Sequence, residues 1–202
     1  ENDDHAGLQF LSPNDKNSII YFGDVDDNDI GYINYVHSSN SMNFITNTNI
    51  AMTIASDGAV TAPLQPAFQV IGTAQNDFAE NSAVTVAWDD TDRFDQGSNF
   101  LNDAFTAPVT GKYQFNIKLY VKNLESAYNY YELSFLTHNK NYYSIFDPGG
   151  SGDPAYWTLQ DSVLADMDAG DTAVVKISAG GTGGGAGHDI DAHSIWSGFL
   201  VC

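Results

Sequence analysis

Oxygen-bearing side chains recur at alternate positions in one short acidic stretch of the chain. Asp24, Asp26 and Asn28 lie two residues apart in the sequence D-V-D-D-N-D. Hard cations such as Ca²⁺ take about six to eight oxygen ligands, so this spacing would suit a calcium loop. The helical calcium-loop motif also requires Gly at its sixth position and Glu at its twelfth, where this chain has Asp29 and Tyr35. The alternative is a solvated turn in which the Asp and Asn side chains bond to their own backbone.

A second group of ligand-type residues lies near the C-terminal end, in the sequence H-D-I-D-A-H. On a strand, Asp189, Asp191 and His193 would point to the same side, because alternate residues share a face. Three copies of the chain around a symmetry axis would multiply these ligands and could form a cation site. Zn²⁺ prefers tetrahedral sites built from His and Cys, and no thiolate accompanies these residues. The alternative is a polar entrance to a strand.

Aromatic residues concentrate between residues 128 and 157, where they offer surfaces for binding. They are Tyr128, Tyr130, Tyr131, Tyr142, Tyr143, Tyr156 and Trp157. Aromatic faces stack on sugar rings and anchor protein interfaces, so we predict a receptor-binding role for Tyr156, Trp157, Tyr142 and Tyr143. Tyr156 and Trp157 follow the turn sequence G-G-S-G and are expected to be the most exposed. The alternative is that these rings fill strand cores or an oligomer axis.

The sequence offers no motif for catalysis. It contains no G-x-S-x-G, and its single cysteine, Cys202, has no His near it in the sequence. The Gly-rich run at residues 180–187 lacks the Lys-Ser or Lys-Thr pair of phosphate-binding loops. We therefore predict a protein that is not an enzyme. A glycan depolymerase stays open as the enzymatic alternative, because a sequence does not give the separation of paired carboxylates.

The charge of the chain limits its partners. Its 202 residues include 26 acidic and 7 basic ones, which give a net charge of −19 at pH 7. Nucleic acids and anionic membranes are bound by clustered Lys and Arg, so neither is expected as a partner. No apolar run approaches the ~20 residues of a membrane helix, and no membrane insertion is expected. Since the sequence starts at Glu1 rather than at Met, we expect a piece of a longer protein.

Short alternating segments fill the first part of the chain and predict a β module at residues 1–63. Its predicted strands, bounded by Gly, Asp, Asn and Ser, are residues 18–22, 31–36, 41–46 and 50–54. Strands of about five residues bury little within one copy, whereas three intertwined chains could pool their apolar faces. Pro63 and Pro66 disfavour continuous secondary structure, so we place a domain boundary there.

The longer part, residues 64–202, has the pattern of an all-β domain. The predicted strands are residues 68–74, 83–88, 112–121, 129–137, 141–146, 171–178 and 193–201. The clearest alternation places Tyr113, Phe115, Ile117, Leu119 and Val121 on one face. Strands at this spacing, with no helix between them, indicate a β-sandwich or jelly roll.

Three stretches of this domain resemble the globular head of complement component one, subcomponent q, a family with the tumour-necrosis-factor-like jelly roll. Residues 105–115 read F-T-A-P-V-T-G-K-Y-Q-F, and residues 162–177 read S-V-L-A-D-M-D-A-G-D-T-A-V-V-K-I. Residues 194–201 read S-I-W-S-G-F-L-V and resemble the closing strand. The resemblance covers about residues 66–202. It implies a ten-stranded jelly roll that packs as a homotrimer, binds partners through exposed loops and has no enzymatic activity.

The first module carries no collagen-like Gly-X-Y repeat and instead looks like modules found in phage tail fibres. The matching positions are residues 20–29 (I-Y-F-G-D-V-D-D-N-D), Gly31, Tyr35, residues 37–42 (H-S-S-N-S-M), Phe44, residues 46–47, Met52, Ile54 and residues 57–58. Together the two resemblances imply a homotrimeric receptor-binding tip at the distal end of a virion fibre, which attaches to a host cell-surface glycan or protein. A structural trimerisation cap without its own receptor is the alternative, and a bacterial or eukaryotic surface protein is another.

Overall fold

The computed structural model describes residues 7–150, 152–181 and 188–202, with residues 90–92 described by their backbone alone. The polar start of the chain, Ser151 and most of the predicted glycine loop therefore lie outside the described residues. All regular structure in the described part is β-strand, which confirms the predicted all-β class. None of the described segments forms a helix with the length and apolar character needed to cross a membrane. The chain divides into two compact units, Glu1–Gln65 and Pro66–Cys202.

Five strands form a single antiparallel sheet in the first unit, and each strand pairs with the next along the chain. They are β1 (Asn17–Phe22), β2 (Gly31–Val36), β3 (Ser41–Thr46), β4 (Asn49–Ile54) and β5 (Val60–Thr61). The tight connection from β3 to β4 is made by Asn47 and Thr48, with φ angles of 47° and 63°. Positive φ at both central residues is the geometry of a type I′ hairpin, which fits the twist of the flanking strands.

One face of this sheet is apolar and has no second layer within the described part of the unit. The register places Ile20 opposite Ile33, Ile33 opposite Phe44 and Phe44 opposite Met52. The N-terminal apolar face, as we name it, comprises Ile20, Ile33, Tyr35, Met42, Phe44, Met52, Ile54 and Val60. Among the described residues of the unit, only Asn34 and Ile45 are buried, and both lie on the opposite face. A single sheet of this kind lacks the two layers that a stable core requires.

Two antiparallel sheets pack face to face in the second unit. The strands are β6 (Ala67–Gly72), β7 (Val84–Thr85), β8 (Trp88–Gln96), β9 (Phe100–Leu101), β10 (Ala104–Thr106), β11 (Gly111–Lys122), β12 (Tyr130–Thr137), β13 (Asn141–Phe146), β14 (Tyr156–Met167), β15 (Thr172–Gly180), β16 (Asp189–Ile190) and β17 (Ile195–Leu200). The front sheet has the order β14-β11-β17-β6-β8, and the back sheet has the order β13-β12-β15-β10-β9. Two short strands extend them, β16 beside β11 and β7 beside β15. These two sheets, each with five strands in sequence across it, confirm the predicted jelly-roll sandwich.

The sandwich core follows from alternation along the longest strands. On β11, the five predicted core residues from Tyr113 to Val121 are all buried. Trp196 of β17 lies at the centre of an aromatic cluster, with its ring 5.2 Å from Phe68 and 5.2 Å from Phe100. Gly198 follows two residues later on the same face, where a Cβ atom would lie 2.6 Å from a ring carbon of Phe115. Glycine is therefore required for the close approach of strand and ring.

Several strands of the second unit differ from the sequence prediction, which did not include β9, β10 or β16. The strand predicted at residues 83–88 is only Val84–Thr85, and a separate strand runs from Trp88 to Gln96. This second strand reads W-D-D-T-D-R-F-D-Q and shows no apolar alternation. It is held by pairing with β6 and by Asp103, whose Oδ1 accepts the Trp88 N–H at 2.7 Å. Likewise, β14 begins at Tyr156, six residues before residues 162–177, the stretch that resembles the complement head.

The chain enters and leaves the sandwich at the same end. The N–H of Leu200 donates to the carbonyl oxygen of Pro66 at 3.0 Å. Leu200 pairs with Tyr113, near the start of β11, so the other end of β11 lies far from the entry point. At that other end Lys122 pairs with Tyr156, the first residue of β14. We call this end, opposite to Pro66, the distal end of the sandwich.

Candidate functional site

An aromatic pair lies on the outer face of the front sheet at the distal end. The alternation that buries Leu119 and Val121 turns Tyr120 outward, and Tyr156 extends outward from the neighbouring strand. Their rings stack, with centroids 5.8 Å apart and an interplanar angle of 27°. Tyr156 keeps 62% of its surface exposed. The exposure expected for Tyr156 from the sequence thus agrees with its place at this end of the sheet.

Three polar side chains that contact one another, those of Lys122, Asp191 and His193, adjoin these rings. The carboxylate of Asp191 accepts a hydrogen bond from Lys122 Nζ at 2.8 Å and also contacts Nδ1 of His193. The same carboxylate accepts the backbone N–H of His193 at 2.9 Å. The ring of His193 meets Tyr120 edge-on at 6.0 Å. We name Tyr120, Lys122, Tyr156, Asp191 and His193 the distal patch.

The ion pair in the distal patch changes the acidity of both partners. The hydrogen bond from Lys122, reinforced by the two contacts with His193, holds the pKa of Asp191 well below its usual range. The hydrogen bond to Asp191 raises the pKa of Lys122 in turn. The side chain of Asp191 is only 17% exposed, whereas that of His193 is 85% exposed. Asp191 is therefore a fixed carboxylate that orients Lys122 and His193 at the surface.

Asp189 lies beside the distal patch but has a separate set of partners. Its Oδ1 accepts the N–H of Asp77 at 3.0 Å, and its Oδ2 accepts from Asn123 Nδ2 at 2.9 Å. The side chain therefore ties together three segments of the domain. Asp189 does not join the contact between Asp191 and His193, and no cluster of three or more metal-ligating side chains was found in the described part of the chain. The cation site proposed for these three residues stays a prediction.

The acidic loop of the first unit forms a turn through its own side chains. Oδ1 of Asp24 accepts the N–H groups of Asp26 and Asp27, each at 2.9 Å. These two backbone hydrogen bonds, the one from Asp27 being the larger influence, lower the pKa of Asp24. Asn28 lies in the same loop, with its backbone against Gly23, where a Cβ atom would come within 2.4 Å of it. This geometry matches the self-bonded turn that the sequence left open as the alternative, and a calcium site here stays a prediction.

The other predicted receptor-binding aromatics are distributed over different surfaces. Trp157 turns inward and stacks on Phe146, although 42% of its surface stays exposed. Tyr142 packs against the core, with Lys140 Nζ 5.2 Å from its ring centroid. Tyr143 is 55% exposed on the outer face of the back sheet. Only Tyr156 of the four therefore belongs to the distal patch.

Tyr120 and Lys122 were not predicted from the sequence as site residues. A signal for them existed, because the alternation that assigned Leu119 and Val121 to the core implies an outward direction for their even-numbered neighbours. Their pairing with Asp191 and Tyr156 depends on the register of three strands and could not be read from the pattern.

Two grooves lie on the outer face of the front sheet, and the smaller one reaches the distal patch at His193. The larger, about 650 Å³, is lined largely by polar side chains, among them Asn116, Gln160 and Ser162. The smaller, about 360 Å³, is lined by Ile71, Arg93, Lys118, Ala192, His193 and Ile195. Lys118 and Ile195 line both grooves. Volumes of this size are typical of ligand-binding clefts.

The second unit is similar in fold to the jelly roll of a complement 1q globular domain. No protein-family model and no curated protein sequence matches the chain. The globular domain of zebrafish complement 1qA protein aligns with a TM-score of 0.51 and 19% identity, over 68% of this chain and 98% of that one. Two structures of murine APRIL, at pH 8.0 and pH 8.5, each align with a TM-score of 0.47, at 15% and 13% identity and over 68% of this chain. The similarity to the zebrafish domain confirms the expected fold, and at this identity it is a similarity of fold alone.

Proposed function

We propose that this protein is a homotrimeric, non-enzymatic receptor-binding head at the tip of a fibre. The observation that carries this proposal is the position of the distal patch. Exposed Tyr156 and the Lys122–Asp191–His193 chain lie at the end of the sandwich opposite to Pro66, where the chain enters. In a head carried on a fibre, that end points away from the fibre and meets the target first.

The trimer is supported by the first unit. Its N-terminal apolar face carries eight apolar or aromatic side chains, none of which is fully buried in the single chain, and Ile20 and Val60 are 42% and 62% exposed. A protein exposes so large an apolar surface chiefly where a partner covers it. Copies of the same sheet around a threefold axis would supply that partner, because a fibre imposes cyclic symmetry rather than an isologous dimer.

The second unit offers a further surface for association. Phe94, Leu164 and Phe199 project from the outer face of the front sheet and are 54%, 54% and 46% exposed. Leu164 and Phe199 both pair with Gln114, so they form one row across three strands. An apolar row of this kind on a strand-rich surface would be covered in a trimer of heads.

The virion setting is supported by the resemblance of the first module to phage tail-fibre modules. Its matching positions include the acidic loop at residues 24–29 and the row that contains Phe44 and Met52. A host cell-surface glycan or protein is the target that such a tip would bind. The strong negative charge of the chain disfavours nucleic acid and membrane as competing targets.

A structural cap is the second candidate, favoured by the packing of two predicted receptor residues. Trp157 stacks on Phe146, and Tyr142 packs on the core, so both rings contribute to the fold itself. In this version the protein would trimerise and end the fibre without contacting a receptor.

Two measurements test the proposal. Light scattering with and without a chelator should give a mass near three times 21.9 kDa, and a stable monomer would overturn the trimer. Fluorescently labelled protein should adsorb to cells within a panel of bacterial strains, and Tyr156→Ala should abolish this adsorption without changing the mass. Ile145→Ala is the control, because this side chain is 66% exposed on the outer face of the back sheet and has no predicted role in binding. Adsorption that is unchanged in Tyr156→Ala would favour the cap.

A further inference from the structure

We propose that the N-terminal apolar face of one copy is covered by residues 7–11 of a second copy, so that exchanged segments interlock the chains of the trimer. Residues 7–11 read G-L-Q-F-L, and we name them the leading segment. The inference rests on the proposed homotrimer and names the part of the partner that occupies this face. Exchange of an identical element between copies is a low-cost way to build an oligomer.

The leading segment is apolar and open to solvent. Leu8, Phe10 and Leu11 keep 81%, 48% and 86% of their surfaces exposed. The segment precedes β1 and belongs to no strand in the described part of the chain. Large apolar side chains gain free energy when they leave water, so their concentration in so short a segment favours contact with an apolar surface.

The path of the chain brings the leading segment out beside the N-terminal apolar face. A turn at residues 13–16, closed by a backbone hydrogen bond of 2.9 Å, returns Ser12 to the start of β1. The hydroxyl of Ser12 lies 3.2 Å from that of Ser18. Ser18 points to the same side of β1 as Ile20, because alternate residues of a strand share a face. The leading segment therefore starts at the edge of the sheet, on its apolar side.

The leading segment leaves its own sheet uncovered, although it is long enough to cross a sheet. Ile20 on β1 and Val60 on β5, at the two sides of the apolar face, stay 42% and 62% exposed in the single chain. Five extended residues span about 17 Å, and neighbouring strands are about 4.8 Å apart, so the segment could cross about three strands. An exposed apolar segment beside an exposed apolar face indicates that the two meet between copies.

Charge favours the same contact. Copies of a chain with a net charge of −19 repel one another, so a stable contact between them requires uncharged surfaces. Neither the leading segment nor the apolar face carries a charged side chain. In an extended segment Leu8 and Phe10 point to one side and Gln9 to the other. We therefore expect Leu8 and Phe10 to lie on the row that contains Phe44 and Met52 in the neighbouring copy.

A photoreactive group in place of Phe10 tests where the leading segment lies. Phe10→benzoylphenylalanine keeps an aromatic ring and links to C–H bonds that it touches. Irradiation of the intact protein should give covalent dimers and trimers on a denaturing gel, and mass spectrometry should place the links in β3 and β4. A link within one chain would keep the mobility of a monomer. Tyr21→benzoylphenylalanine is the control and should give no such links, because Tyr21 is 53% exposed on the opposite face of the same sheet.

Replacing Leu8 tests what the contact contributes. We expect Leu8→Ser to speed the exchange of subunits between two differently labelled trimers by about tenfold or more, because an apolar side chain would no longer be buried on the partner. Gln9→Ser is the matched control at the next position. Its exchange rate should stay within about twofold of the wild type, as is usual for a surface substitution.

The outcomes separate this inference from the proposed trimer. A trimer in which the group at Phe10 links only within its own chain, links to another surface or stays unlinked would overturn the exchange of segments and leave the trimer standing. Equal exchange rates in Leu8→Ser and Gln9→Ser would overturn it as well. A wild-type protein that light scattering shows to be a monomer would contradict both.

Discussion

The indole ring of Trp157 lies 4.1 Å from the ring of Phe146, at an interplanar angle of 13°. Phe146 ends β13, the edge strand of the back sheet, and Trp157 is the second residue of β14, the edge strand of the front sheet. The stacked rings therefore connect the two sheets along the side of the sandwich that is formed by their edge strands, β13 and β14. Its neighbour Tyr156 makes its ring contact within the front sheet, on Tyr120.

Replacing Trp157 should therefore affect stability more than replacing Tyr156. We expect Trp157→Ala to lower the free energy of unfolding by about 2 kcal/mol, because it removes a stacked pair and half-buried apolar area. Tyr156→Ala should cost less than about 1 kcal/mol. Urea unfolding of the intact protein, followed by circular dichroism, measures both. Equal losses in the two variants would show that the exposed tyrosine also holds the sheets together.

The Lys122–Asp191 pair predicts a change of stability with pH. The pKa of Asp191 is held below its ordinary value of 3.8, so its carboxylate contributes stability above that value and loses it as the pH falls further. Asp191→Asn should be less stable by about 1–2 kcal/mol at pH 7 and should lose less on acidification than the wild type. Unfolding midpoints between pH 2 and pH 7 measure this difference.

Asp166→Asn provides the control for that experiment. Asp166 pairs with Lys112 on the same sheet at 3.1 Å, but its side chain is 74% exposed, compared with 17% for Asp191. Exposed pairs contribute little, so Asp166→Asn should stay within about 0.5 kcal/mol of the wild type. A pH profile of Asp191→Asn that parallels the wild type would contradict the role of the distal ion pair.

The N-terminal apolar face predicts a variant that would dissociate the proposed trimer. Val60 is 62% exposed in the single chain, so Val60→Asp removes no core packing within its own unit. We expect the mass measured by light scattering to fall from the trimer value toward 21.9 kDa, because a carboxylate would be buried in the contact between copies. Thr61→Asp, one residue on and facing the other side, should leave the mass unchanged. A trimeric Val60→Asp protein would place the contact elsewhere.

Gly198 predicts the effect of overpacking the core. An added Cβ would lie 2.6 Å from a ring carbon of Phe115 and 2.8 Å from one of Phe68. Gly198→Ala should therefore lower the free energy of unfolding by about 1–3 kcal/mol. Ser197→Ala, on the outer face of the same strand, should change it by less than about 0.5 kcal/mol. Comparable urea midpoints for both variants would mean that the two rings move aside freely.

The parts of this fold that the sequence predicted are those in which local alternation agrees with burial. On β11 the odd-numbered residues from Tyr113 to Val121 repeat with period two and are all buried, so pattern and packing coincide. On β8 the residues W-D-D-T-D-R-F-D-Q carry no such pattern, and the strand exists because β6 pairs with it. Pairing between distant segments is a tertiary effect that a local window does not contain.

The candidate site was predictable to a similar extent. The turn sequence before Tyr156 indicated its exposure, whereas the partners of Tyr156 come from β11 and from the segment that precedes β17. Lys122 and Asp191 are 69 positions apart by their residue numbers and meet only through the register of the front sheet. The aromatic pattern also grouped Trp157 with Tyr156, although adjacent residues of a strand point to opposite faces.

The hydrogen bond between Leu200 and Pro66 means that both ends of the head lie side by side at one pole of the sandwich. A domain with adjacent ends is tied to the rest of its chain at a single point. It can be exchanged as a cassette between carrier proteins, or inserted into a surface loop of an unrelated scaffold, without spreading the attachment site. The domain could thus be replaced as one unit while the protein that carries it stays unchanged.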